Sequence, residues 1–148
     1  MGIPAEALPL WVADMDFEVI PQVTEAIKGR IAHEVYGYCL PPDSYFESLQ
    51  GWMRRRYNWD VKKEWILTVP GVVPAINLAL HAFTSPGDAV LIQPPVYPPF
   101  ANAVLGNGRR LIENPLMQQD KGFSIDFEDF EAKIKDNSVK LFILCSPH

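Results

Sequence analysis

The segment Pro86-Gly87-Asp88-Ala89-Val90-Leu91-Ile92-Gln93-Pro94-Pro95-Val96-Tyr97-Pro98-Pro99-Phe100 decides the fold. A Pro-Gly-Asp turn leads into four apolar residues with no polar alternation, which reads as a strand buried on both faces. A proline-rich loop follows, and Tyr97 to Leu105 then reads as a helix ended by Gly106-Asn107-Gly108. An Asn-Gly hairpin at Asn107-Gly108 is the competing reading, and the helical pattern before it favours a glycine helix stop. Outward from this segment the same alternation repeats. Trp65-Ile66-Leu67-Thr68-Val69 reads as a short strand, followed by Pro70-Gly71 and an apolar helix from Val73 to Phe83. Downstream come a strand Arg110-Leu111-Ile112-Glu113, a loop, a helix from about Phe127 to Lys135 and a last strand Leu141 to Cys145. Strand and helix in alternation predict an α/β domain with a mostly parallel sheet and helices on both faces. Two helices precede it: Val19 to His33, with apolar residues near helical spacing, and a second that Asp43 or Ser44 can cap and that runs to about Tyr57.

Composition excludes several functions. The chain has 148 residues, 48% of them hydrophobic, enough for a sizeable core in a single domain of ordinary length. Its net charge is −5, and the 13 Lys and Arg residues are scattered, so the basic stripe that nucleic acid requires is missing. The run Arg54-Arg55-Arg56 reads as a solvated helix face. Cys39 and Cys145 are too few for a disulfide framework and lack metal-site spacing, and Cys145 closes an apolar run as a small hydrophobe would. No stretch reaches the ~20 apolar residues of a membrane span, and no targeting signal opens the chain. The expectation is a soluble, cytoplasmic protein with neither nucleic acid nor membrane as partner. The end of the chain is unusual for an intact domain: Ser146-Pro147-His148 stops just past a buried strand, where ligands bind in doubly wound sheets. A fragment of a longer protein is expected.

Three local features could carry chemistry. Thr68-Val69-Pro70-Gly71-Val72-Val73-Pro74-Ala75-Ile76 runs from strand through a glycine turn into a helix. The first N–H groups of a helix have no internal partner and its dipole is positive there, so such a terminus suits an anion such as phosphate. Most junctions of this kind merely turn, and this one is neither a Walker A loop nor Gly-x-Gly-x-x-Gly. In Gln93 to Phe100, prolines on both sides would fix Tyr97 at a strand's carboxyl end, where it could stack on a flat ring, or it could simply pack on the core. Asp14 and Asp16 lack a third ligand, so no metal site is expected, and Asp16 has an N-cap role open to it. His33 and His81 lie inside predicted helices without triad partners.

Taken together, Leu10-Trp11-Val12-Ala13-Asp14-Met15-Asp16-Phe17, Tyr36-Gly37-Tyr38, Gly71-Val72-Val73-Pro74-Ala75, Pro95-Val96-Tyr97 and Leu144-Cys145-Ser146-Pro147-His148 resemble the class I/II aminotransferase superfamily of pyridoxal-phosphate enzymes. The Trp-Val-Ala-Asp-Met-Asp-Phe run and the Gly-Val-Val-Pro loop resemble its cystathionine β-lyase branch, typified by MalY and PatB, most closely. The resemblance covers nearly all of this chain but only about the first 40% of a typical family chain. It implies the N-terminal part of the large domain of the fold type I enzymes. Residues 1–58 would be an arm and helices making dimer and active-site contacts, and 59–148 the first part of the cofactor-binding domain.

The same resemblance implies site roles. Gly71, Val72 and Val73 match the loop that cups the phosphate of pyridoxal 5'-phosphate, and Tyr97 matches the aromatic that stacks on its ring. Tyr38 matches a tyrosine that reaches the partner subunit's cofactor, so a homodimer with shared sites is implied. Ala13 sits where backbone approaches the carboxylate of an amino-acid substrate. The Schiff-base lysine, the aspartate at the ring nitrogen and the substrate-binding arginine match none of these residues and would follow His148, so no catalytic residue is expected within this stretch. Three functions stay open: a C–S β-lyase acting on cystathionine or cysteine, an aminotransferase on the same fold, and a non-catalytic dimerising or binding module.

Overall fold

The structure, a computed structural model, describes residues 7, 8 and 13–148, so Leu10, Trp11 and Val12 of the N-terminal motif lie outside the described residues. The chain divides into two compact units, Met1–Tyr57 and Asn58–His148.

The first unit holds α1 (Pro21–Ala32) and α2 (Asp43–Tyr57). α1 opens on Pro21, whose missing N–H is one the helix could not use anyway. Ile20 occupies the N-cap position and no side chain caps the helix, so Asp16, four residues upstream, does not take that role. The apolar stripe Val23, Ile27 and Ile31 exists as the spacing predicts, yet each of these side chains is exposed. In α2 a half-buried face carries Phe46, Leu49 and Met53, and Tyr45 meets Phe46 edge-on at 5.2 Å.

The second unit is the α/β body. It contains α3 (Val72–Phe83), β1 (Ala89–Ile92), α4 (Pro99–Gly106), β2 (Arg110–Glu113), the hairpin β3 (Met117–Gln119) and β4 (Gly122–Ser124), α5 (Phe127–Asp136) and β5 (Val139–Phe142). The main sheet has the order β2-β1-β5 and both ladders are parallel. All four residues of β1 are buried, as an unbroken apolar run at the centre of a two-faced sheet requires. Side chains alternate across a strand, and that alternation sorts the helices. Val90 and Leu141 point into a cluster with Leu80 of α3 and Ala103 and Val104 of α4, whereas Phe142 turns to the other face and meets Phe130 of α5 at 5.1 Å. Helices therefore cover both faces. Each fully buried side chain of this cluster contributes roughly 1.5–3 kcal/mol of transfer free energy.

Two polar ties join α3 to α4. Asn107 Nδ2 donates to Asn77 Oδ1 at 2.7 Å and to Ala103 O at 2.7 Å. Arg109, only 6% exposed, donates to Thr84 Oγ1, Thr84 O, Leu80 O and Asn107 O at 2.6–3.2 Å. Its charge thus meets the carbonyl ends of two helices, where the dipoles are negative.

The structure corrects three local expectations. Trp65-Ile66-Leu67-Thr68-Val69 is no strand: Lys63–Trp65 forms one 3-10 turn, and the chain then runs on without joining either sheet. Leu67 is 87% exposed, so the apolar run lacks the burial that would hold it in a ladder. The loop after β2 contains the β3–β4 hairpin, whose strands show no hydrophobic alternation; its turn, Asp120-Lys121, is followed by Gly122 at φ 143°. β5 starts two residues before and ends three residues before the expected Leu141 to Cys145, paired with β1 through a local irregularity between Ala89 and Val90. Asn107-Gly108 ends α4 and forms no hairpin: Asn107 N–H returns to Ala103 O and Gly108 takes φ 69°.

Candidate active site

The carboxyl ends of the three parallel strands converge on one edge, the place where ligands bind in such sheets. Thr84 to Asp88 link the last turn of α3 to the start of β1. With so short a link, α3 runs back along the sheet and its N-terminus faces that carboxyl edge. There Gly71 adopts φ 118° and ψ 166°, a region open essentially to glycine alone. Its N–H donates to Val69 O at 2.8 Å and its carbonyl accepts from Ala75 at 3.1 Å, the first helical bond. Pro74 has no N–H, so Val72 and Val73 supply the free donors of the turn. No acidic residue stands in this first turn to oppose an anion. Donors, dipole and the absence of like charge fit a phosphate monoester here.

Tyr97 lies just beyond β1 and immediately before α4, half exposed, with its ring edge-on to Phe100 at 5.9 Å. Phe100 is buried, so this contact anchors the tyrosine ring to the core while half of its surface stays open. Gly71, Val72, Val73 and Tyr97 are thus brought to one end of one sheet. Tyr38 and Ala13 belong to the other compact unit. Tyr38 is fully exposed, on a loop that Arg30 ties down by a bond to Val35 O at 3.0 Å and by its stacking on Tyr36. Ala13 has φ 64°, the left-handed region that alanine rarely adopts. Among the described residues no cluster of His, Cys, Asp or Glu could hold a metal, and no helix is long and apolar enough to cross a membrane.

Several residues at this edge escaped sequence reasoning. A cavity of about 400 Å³ is lined by Gln93, Leu116, Phe123, Leu144, Cys145 and His148. Cys145, expected as a buried hydrophobe, is half-buried at the cavity wall. His148 Nε2 lies 2.7 Å from Pro95 O, and Leu116 N–H donates to Pro94 O at 2.7 Å. Asn114, at 0% exposure, bonds Gln93 and Asp129 together at 2.8 Å each. Asp129 holds its proton less tightly than its ordinary value of 3.8, first because Asn114 donates to it and then because Lys133 stands beside it, against an opposing effect of burial.

A parallel α/β sheet with a glycine-opened helix N-terminus and a half-exposed tyrosine at its carboxyl edge is an architecture that many ligand-binding folds share. Residues 6–148 match the model of class I and II aminotransferases, and the chain belongs to that family. Cystathionine beta-lyase PatB of Bacillus subtilis (strain 168) is 50% identical over 143 residues, 97% of this chain and 37% of PatB. The crystal structure of cystalysin from Treponema denticola, which contains a pyridoxal 5'-phosphate cofactor, is 40% identical with a TM-score of 0.92, over 99% of this chain and 37% of cystalysin. An aspartate aminotransferase of Sulfolobus acidocaldarius is 27% identical over 93% of this chain and 35% of its own length. The chain therefore spans little more than a third of its relatives, and its fold is the one expected for the N-terminal part of the fold type I large domain.

Proposed function

We propose that this chain is the cofactor-cradling part of a pyridoxal-phosphate-dependent C–S β-lyase that acts on sulfur amino acids such as cystathionine or cysteine. The observation that carries the reading is Gly71 at φ 118°, ψ 166° opening α3 with the Val72 and Val73 N–H groups free. The 50% identity to a cystathionine beta-lyase supports the lyase reading over the aminotransferase one, whose relative stands at 27%. When bound, the cofactor supplies the electron sink that stabilises negative charge at the substrate α-carbon. The Val72 and Val73 amides and the α3 dipole hold its phosphate, each charge-assisted bond contributing roughly 1.5–3 kcal/mol. The half-exposed ring of Tyr97 would stack on the cofactor ring and exclude water there. Backbone at Ala13 approaches the substrate carboxylate, and Tyr38 reaches the phosphate in the partner subunit of a cytoplasmic homodimer. In this reading residues 1–58 make dimer and active-site contacts and 59–148 begin the cofactor-binding domain.

The test is turnover by the full-length gene product with added pyridoxal phosphate and L-cystathionine. β-Elimination consumes one water and releases one thiol, one keto acid and one ammonia, in equal amounts. Amino-group transfer to an added keto acid without thiol release would establish the aminotransferase instead. Saturable cofactor binding with neither reaction would leave the non-catalytic module.

A further inference from the structure

We propose that Asn114 is the positioning residue of the Tyr97 loop, a role that rests on the reading of Tyr97 as the cofactor-stacking ring. Asn114 follows β2 as Gln93 follows β1, and the parallel register Ile92↔Glu113 sets the two side by side. The orientation of the Asn114 amide is dictated by its surroundings. Asp129 Oδ2 and Asp126 O can only accept, so Nδ2 donates to them, at 2.8 and 3.2 Å. Oδ1 is then the one atom left for Gln93, whose Nε2 donates to it at 2.8 Å. Asp129 is held in turn by Lys133 Nζ at 3.3 Å. The backbone of the same segment repeats the grip: Asn114 N–H donates to Ile92 O at 3.0 Å and Leu116 N–H to Pro94 O at 2.7 Å.

The loop is thus tied at Gln93 by the Asn114 side chain, at Pro94 by Leu116 N–H and at Pro95 by His148, while Tyr97, two residues on, is half exposed with its ring perpendicular to that of Phe100. A side chain that supplies two donors and one acceptor at one buried planar tip cannot be replaced by an apolar one without unpairing Gln93. α5 therefore reaches the site through a chain of four side chains, Lys133, Asp129, Asn114 and Gln93, and sets where the tyrosine stands.

A double-mutant cycle on the full-length gene product tests this, with pyridoxal-phosphate affinity measured by absorbance titration. Asn114→Leu should weaken binding about tenfold when Tyr97 is present and by less than about twofold in a Tyr97→Ala background, because coupled residues do not add. Asp129→Ala, at a partly exposed position, should show the same coupling at about half that size on a logarithmic scale. Hydrogen exchange supplies a readout without cofactor: Asn114→Leu and Asp129→Ala should speed exchange at the Val96, Tyr97 and Phe100 amides while the β1 amides keep their protection. Equal losses in both backgrounds, or unchanged affinity, would overturn the proposal even though the cofactor binds. If the wild type binds no pyridoxal phosphate the functional reading fails, and unchanged exchange at those three amides would sink the positioning role independently.

Discussion

Replacing Gly71 by alanine separates a conformational requirement from a steric one. A Cβ added at this position would meet Pro74 Cδ at 3.7 Å, an ordinary contact, so space is available. What alanine cannot adopt is φ 118° with ψ 166°, and holding a non-glycine residue in such a region costs about 1–3 kcal/mol. Escaping to a permitted φ would break the bond from Gly71 N–H to Val69 O or the one from Ala75 N–H to Gly71 O, and would re-aim the Val72 and Val73 amides. Gly71→Ala should therefore lower the melting temperature by roughly 2–12 °C, at about 2–4 °C per kcal/mol for a chain of this size. If the first turn rebuilds instead, pyridoxal-phosphate affinity should fall by about 5–150-fold, the same free energy read as binding. Gly51→Ala is the control, because the same chemical change there has the opposite sign. Gly51 lies inside α2, where alanine is favoured by about 0.5–1 kcal/mol, and only the exposed Arg55 guanidinium, 3.0 Å from the new Cβ, must move. Calorimetry and cofactor titration on the two variants decide the matter. A Gly71→Ala protein that matches the wild type in both melting temperature and affinity refutes the reasoning.

The remaining expectations concern other parts of the fold. Arg109→Met removes the guanidinium donor from Thr84 O and Asn107 O, while Leu80 O keeps its bonds from Thr84, and should cost about 1–3 kcal/mol in denaturant unfolding, with Arg109→Lys recovering little because an ammonium cannot span that fork. The Asp129 carboxyl has a lowered pKa when folded, so its links to Asn114 and Lys133 stabilise the protein above the ordinary value of 3.8 and are lost as pH falls through the folded value. Asp129→Asn should flatten that acid limb of the melting curve, and an unchanged limb would assign it to other carboxyls. For Tyr38, a heterodimer of a Tyr38→Phe subunit with a subunit lacking its cofactor-binding lysine should recover activity at its lysine-bearing site, and no recovery would place Tyr38 in its own subunit's site.

Much of the second unit was legible because its signals are local. Ala89-Val90-Leu91-Ile92 has no polar residue to turn outward, so burial on both faces follows from the run itself. α3 and α5 fall close to the stretches expected for them, and in α5 the structure adds the cap Asp126, whose carboxylate accepts from Asp129 N–H at 2.9 Å. What misled was the stretch Trp65 to Val69, whose composition matches a strand but whose status depends on whether a neighbouring strand offers a free edge. No property of five residues carries that information. The β3–β4 hairpin failed for the converse reason: Met117-Gln118-Gln119 and Gly122-Phe123-Ser124 lack an apolar face, and their pairing rests on backbone bonds and a glycine turn.

The site divides along the same line. Gly71, Val72, Val73 and Tyr97 sit beside the glycine and prolines that shape their turns, so a reader of the sequence meets cause and effect within a few residues. Gln93 and Asn114 are 21 residues apart, and each reads alone as an ordinary polar residue after an apolar run. Their meeting is a consequence of register: once Ile92 stands opposite Glu113, the next residue of each strand must stand opposite the other. In a parallel pair whose carboxyl edge is buried, those two positions need side chains that satisfy each other, because water cannot reach Asn114. Two amides meet that need, one donating and one accepting, with Asp129 deciding which does which. Two carboxylates would repel and two apolar side chains would leave Asp129 without its donor, so the polarity at the two strand ends is constrained jointly, by pairing that only the folded sheet reveals.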